Sequence, residues 1–158
     1  MLDINAVFGA LVAGIVVGRL PENQFGSVRQ GISDLALSFF VPIYFALVGL
    51  KIDLPAHFDP TLFFGFLVLS SILQIGSVIL ATRLARYDWI SSLNFAIAMN
   101  TRGGPGIVLA SVAYESRLVD GAFFVTLVLT AIVTSIFAGA WFRLVQKRNY
   151  PLFVKPTP

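Results

Sequence analysis

The chain has 158 residues, of which 57% are hydrophobic and 12% charged, and its mean hydropathy is +0.86. A soluble domain of this length must coat its surface with charge, so this composition excludes one and indicates an integral membrane protein. The net charge of +3 comes without any basic stripe interleaved with aromatics, which sets nucleic acid aside, and the lack of cysteine excludes disulfides, thiolate catalysis and Cys-based metal sites.

Five apolar segments follow in chain order, each near the roughly 20 residues that cross a hydrocarbon core as a helix. None alternates apolar and polar residues as a barrel strand would. The first runs from Ile4 to Leu20. Asp3 and Asn5 stand where a cleaved signal would carry lysines, so this helix is expected to be retained. Ala10, Gly14 and Gly18 recur at four-residue spacing and read as a helix-packing face, although small residues are frequent in membrane helices in any case. The connector "RLPENQFGSVRQGI", with Pro21 and Gly26, reads as a turn.

The second segment spans Ser33 to Asp53, with Ser33 as its cap and Asp34 as a first-turn charge. Pro42, within "SFFVPIYFALVGLKIDL", predicts a helix kink. Lys51 follows within about two apolar turns, either as a partly buried functional cation or as a lysine snorkelling from a helix end. "LPAHFDP" reads as a turn with solvated Asp53, His57 and Asp59, and one histidine makes no metal site. The third segment runs from Thr61 to Arg83, and its Ser70 and Ser71 read as backbone-bonded hydroxyls. After the compact turn "LARYDW" comes the fourth, Ile90 to Glu115, and after "SRLVD" the fifth, Gly121 to Gln146. Residues 1–148 make up the membrane domain, and the basic, proline-rich stretch 149–158 reads as a flexible C-terminal tail.

The fourth segment is interrupted at its middle by Asn100, Thr101, Arg102, Gly103, Gly104, Pro105 and Gly106. In lipid every backbone polar group needs an internal partner, so a non-helical interval at membrane depth must be enclosed by protein or line a wet cavity. The glycines permit non-helical dihedrals, and Pro105 lacks an N–H and disfavours helix at Gly104. Two half-helices are expected, one ending near Asn100 with free carbonyls and one starting near Gly106 with free N–H groups, as at the ion sites of secondary transporters. A surface loop between two short segments is the alternative. Arg102 requires a carboxylate or carbonyl partner at that depth, and the segment holds no acid near it.

Eight basic residues (Arg19, Arg29, Arg83, Arg86, Arg143, Lys147, Arg148 and Lys155) flank one side, against Lys51 and Arg117 on the other. The C-terminus is therefore expected in the cytoplasm. Five crossings would put Met1 outside, which for a chain without a signal predicts further helices upstream. No HExxH, GxSxG or paired intramembrane aspartate is present, so an enzyme is not expected.

"INAVFGALVAGIVVGRLP", "FFVPIYFALVGLKIDL", "MNTRGGPGIVLASVAYE" and "FFVTLVLTAIVTS" together resemble, in order and spacing, the C-terminal part of the monovalent cation:proton antiporters of the sodium/proton exchanger superfamily. The nearest branch looks like that of bacterial potassium-efflux and plant cation exchangers. The resemblance implies an all-α membrane fold in which about five transmembrane helices form most of one inverted repeat, the fourth segment being a broken helix at the ion site. It implies that Lys51 and Arg102 compensate charge there, that Na⁺ or K⁺ and H⁺ are the transported species with no cofactor, and that the complete transporter is a homodimer in the inner (plasma) membrane. The family's ion-binding aspartate lies in the first repeat and has no counterpart in this chain. An N-terminal half or second subunit is therefore the expected partner, beside the lipid bilayer. A structural or regulatory membrane subunit, or a truncated inactive fragment, stays open as the alternative.

Overall fold

The computed structural model describes residues 6–148, and every regular element among them is helical. The chain forms two compact units, Met1–Lys51 and Ile52–Pro158.

In the first unit, α1 covers Ala6–Gly18, and the expected start at Ile4 lies outside the described residues. It ends in two tight turns, with Arg19 N–H donating to the Val16 carbonyl at 3.1 Å and Leu20 N–H to Val17 at 3.2 Å. Nothing lies within 4 Å of the space that a Cβ would fill at Gly14 or Gly18, so these two positions have no neighbour among the described residues. Helix α2, Glu22–Leu35, takes in most of the stretch expected to be a turn and the start of the second expected segment. Phe25, Val28, Ile32 and Leu35 recur at three- and four-residue spacing, and this periodicity outweighs the glycines between them. Pro21 sits just ahead of the first turn, where its missing N–H costs nothing and its carbonyl accepts from Gln24 and Phe25. Asp34 is consequently not a first-turn charge and Ser33 is not a cap. Both lie in the last turn of α2, which runs on into the next helical turn, and Asp34 accepts from Gln30 Nε2 at 2.8 Å. Arg29 Nη1 donates to the Gly18 carbonyl at 3.2 Å, which satisfies one open carbonyl at the end of α1.

A π-turn over Ala36–Phe40 joins α2 to α3, Val41–Leu50. Val41 N–H reaches the Ala36 carbonyl, a five-residue step placed immediately before Pro42. Proline cannot donate to the ladder, and widening the preceding turn lets the helix continue past it. The result is one apolar helix, Gln24–Leu50, of 27 residues, long enough to cross a membrane. Lys51 closes α3 with an exposed side chain rather than a partly buried one.

In the second unit four aspartates each start a helix. Asp53 accepts from Ala56 N–H and caps α4, Leu54–His57; Asp59 accepts from Thr61 and Leu62 and caps α5, Pro60–Leu84. Asp88 caps α6, Trp89–Asn100, and Asp120 caps α8, Gly121–Lys147, which follows α7, Gly103–Glu115. Asp53 and Asp59 are thus more than solvated loop residues: each carboxylate binds orphan N–H groups at a positive helix end. The His57 ring lies against Gly121, where a Cβ would come within 3.0 Å of it.

The turns after α5 and α7 share one device. Arg86 and Arg117 adopt φ of 63° and 57°, and Tyr87 and Leu118 N–H reach back to the Thr82 and Ala113 carbonyls at 3.0 and 2.9 Å. These are left-handed helix ends of the Schellman kind, which reverse the chain in few residues. α5 therefore runs antiparallel to α6, and α7 to α8. The core lies along α8, where Phe124, Val125, Val128 and Ala131 are buried, as are Ala96 and Ile97 of α6 and Ala110 of α7. Tyr114 stacks on Phe124 at 4.7 Å between ring centroids.

Asn94 is fully buried on α6, and its Oδ1 accepts from Trp141 Nε1 of α8 at 2.9 Å. Asn94→Leu should destabilise the chain by about 1–2 kcal/mol, because it strands a buried indole N–H. A double-mutant cycle with Trp141→Phe, read by thermal unfolding in detergent, should return a coupling of about 1 kcal/mol; additive losses would deny the bond any net worth.

Asp88 lies in the α5–α6 turn, and the Ser91 hydroxyl, followed by the Ser91 and Ile90 N–H groups, holds its carboxyl below the usual carboxylate value of 3.8. A depressed native pKa stabilises the fold above the unfolded value, and that contribution disappears as pH falls through the native one. Asp88→Ala should therefore lower the melting temperature at neutral pH, and the deficit should shrink as pH drops below 3.8. A deficit independent of pH would show that the carboxylate charge is irrelevant to the cap.

Candidate functional site

Between α6 and α7 the backbone leaves the helix for two residues. Thr101 is extended (φ −73°, ψ 113°), Arg102 returns towards helical values, and Gly103 takes φ +43°, where a side chain would be strained. Pro105 falls in the first turn of α7, where no N–H is required of it. The two halves have 12 and 13 residues, about 18 and 20 Å, so neither spans a membrane alone.

The contacts of the break fix its depth. Arg102 lies with its guanidinium 5.1 Å above the Phe66 ring, Asn100 Nδ2 donates to Ser71 Oγ at 3.3 Å, and Gln74 Nε2 donates to the Met99 carbonyl at 3.5 Å. Phe66, Ser71 and Gln74 occupy the middle of the 25-residue α5. The interval therefore lies level with the middle of a membrane-length helix rather than with either of its ends.

Local bonds settle part of the open backbone. Thr101 turns its N–H to the Ala98 carbonyl at 3.2 Å and its hydroxyl to Ile97 at 3.2 Å, while the Arg102 carbonyl accepts from Gly106 at 3.1 Å and starts α7. Asn100 is 7% exposed, and its Oδ1 is buried with no partner among the described residues. No hydrogen bond is made by the Gly103 or Gly104 N–H among them either. The break so presents an amide oxygen and helix-end carbonyls on the α6 side, and N–H groups with a partial positive charge on the α7 side.

Asn100, Thr101, Arg102 and Gly106 line one cavity of about 610 Å³, together with Gln74 and otherwise mostly apolar walls. Gly103, Gly104 and Pro105 form the first turn of α7 and are not among the residues that line the cavity. Arg102 is half-buried, and among the described residues its partner is the Phe66 face rather than the carboxylate or carbonyl expected from the sequence. A planar guanidinium can stack on an aromatic ring and still keep its donors free for an anion. Pro42 and Lys51 belong to the first unit and are placed there as described above.

Sequence reading missed Phe66, Ser71 and Gln74. Ser70 does bond its own helix, to the Leu67 carbonyl at 3.4 Å, but Ser71 instead accepts from Asn100. The available signal was a serine and a glutamine three residues apart, and so on one face, in an otherwise apolar helix.

A family model described as "Sodium/hydrogen exchanger, transmembrane" matches residues 1–148. The high-affinity Na(+)/H(+) antiporter NhaS3 of Synechocystis sp. is 28% identical over 100% of this chain and 36% of its own length. A Na(+)/H(+) antiporter of Enterococcus hirae is 24% identical over 95% of the chain and 39% of its length, and the K(+)/H(+) antiporter 1 of Saccharomyces cerevisiae 26% over 95% and 17%. The chain thus spans well under half of these relatives. No solved structure matches it. An all-α bundle with membrane-length helices, a helix broken at mid-depth and a match along nearly the whole chain agree: the chain belongs to the sodium/hydrogen exchanger family.

Proposed function

We propose that this chain supplies the C-terminal part of a secondary-active antiporter that exchanges Na⁺ or K⁺ for H⁺ across the plasma membrane, with its C-terminus in the cytoplasm. The observation that carries this reading is the break between α6 and α7, where Arg102 faces a cavity and has no carboxylate partner among the described residues. A cation exchanged against protons needs a titratable carboxylate, and the missing one comes from a part of the transporter outside this chain. In the working cycle Na⁺ or K⁺ and H⁺ compete for that carboxylate while the core moves to alternate access. Arg102 balances its charge, Lys51 of the first unit is a further charge-compensating cation of the transporter, and the carbonyl end of α6 and the N–H end of α7 orient the ion and its counter-charge. The complete transporter acts as a homodimer and uses no cofactor.

Everted vesicles test this. The pH gradient should collapse on adding Na⁺ or K⁺ when the chain is expressed with an N-terminal half from the family, and not when it is expressed alone. Flux from the chain alone would refute the missing carboxylate. Flux in neither case would favour a structural or regulatory subunit.

A further inference from the structure

The second unit is polarised in charge from end to end. At the end where α5 stops and α8 finishes stand Arg83, Arg86, Arg143, Lys147 and Arg148, against the single carboxylate of Asp88. That carboxylate already binds the Ile90 and Ser91 N–H groups. Asp53, Asp59, Glu115 and Asp120 gather at the opposite end, with Arg117 in the turn between α7 and α8.

At the basic end a groove of about 370 Å³ separates the start of α6 from the end of α8. Its walls are Ile90, Leu93, Trp141, Leu144 and Val145, and Arg148 stands at its mouth. Arg148 follows the last turn of a 27-residue span, which places it at headgroup level, while the apolar walls lie one to two turns deeper. Its guanidinium makes no hydrogen bond or ion pair among the described residues. Trp141 is held in place by its bond to Asn94, and Arg83 is tied to the Tyr87 carbonyl and the Trp89 ring, so neither competes for the mouth.

We infer that this groove binds an anionic phospholipid, with one acyl chain along Ile90, Leu93, Leu144 and Val145 and the phosphate on Arg148. An apolar slot open at headgroup depth fits a lipid tail, and a guanidinium with no partner among the described residues, set among like charges, selects an anionic headgroup over a zwitterionic one. The site is separate from the cavity at the helix break and does not depend on which ion is carried.

The chain has two tryptophans, so Trp89→Phe leaves Trp141 as the only reporter. In phosphatidylcholine vesicles, brominated phosphatidylglycerol should half-quench Trp141 fluorescence at a several-fold lower mole fraction than brominated phosphatidylcholine. Arg148→Gln should bring the two lipids together, while Arg86→Gln, which removes a cation from the same end but not from the groove, should leave the preference. Equal quenching in the parent would overturn the site, as would a preference that survives Arg148→Gln. Quenching by neither lipid would mean that protein covers the groove, and would overturn it too.

Discussion

Arg102→Leu is expected to reduce proton-coupled cation flux at neutral pH to near background in the assembled transporter, while making the protein more resistant to heat. The two effects share one cause. A guanidinium held at mid-depth costs at least a few kcal/mol, and only the Phe66 face offsets that cost within the described chain. Leucine removes the cost and fills the cavity wall with apolar surface. On the function proposed above, what is lost is the positive charge that keeps the carboxylate supplied by the rest of the transporter ionised. A charge-assisted hydrogen bond contributes about 1.5–3 kcal/mol, and about 1.4 kcal/mol corresponds to one pKa unit, so the carboxylate should rise by roughly 1–2 units. Because the proton competes with the cation, the pH at which flux begins should move up by a similar amount. Arg102→Lys keeps the charge but loses the flat stacking and the fork of donors, and should give a smaller shift. Flux measured between pH 6 and 9 decides the matter. A normal pH profile in Arg102→Leu would remove the arginine from the ion site, and a profile lost together with thermal stability would make its role structural.

The broken helix was legible because Gly103, Gly104 and Pro105 are unfavourable in a helix interior for backbone reasons that no tertiary contact alters. Its depth was not legible, since that is set by Phe66, Ser71 and Gln74 on α5, 25 to 36 residues away in sequence. The same limit applied to Arg102: its need for a partner follows from its charge, but an aromatic face can meet that need as well as a carbonyl can. The misreading of residues 22–32 is of another kind. There the periodic Phe25, Val28, Ile32 and Leu35 were visible, and Pro21 and Gly26 were given more weight than they bear. A proline just before a helix is compatible with it, and one interior glycine costs only about 1 kcal/mol. The caps by Asp53, Asp59, Asp88 and Asp120 show how charges in short connectors of a membrane bundle can start the helices that the apolar runs then fill.

Replacing Gly103, Gly104 and Pro105 together by alanine should fuse α6 and α7 into one helix and abolish transport. Each glycine exchanged favours helix by about 1 kcal/mol and the proline by about 3, a combined bias of roughly 5 kcal/mol. Alanine at 103 also penalises the present φ of +43°. A continuous helix would exchange the local bonds at the end of α6 for regular ladder bonds and pair the N–H groups that now start α7, so the bundle should melt at a higher temperature. The opposed partial charges at the cavity would vanish with the break. The chain has no cysteine, so a single Thr101→Cys reports on the interval without background. In the parent that thiol lines the cavity and should react with a small water-soluble maleimide; in the triple-alanine chain it should become several-fold slower to react. Reactivity unchanged alongside lost flux would mean that the break persists and that the glycines act through close approach of an ion or a neighbouring helix. Flux retained with a fused helix would show that the break is dispensable, and with it the reading of the cavity as an ion site.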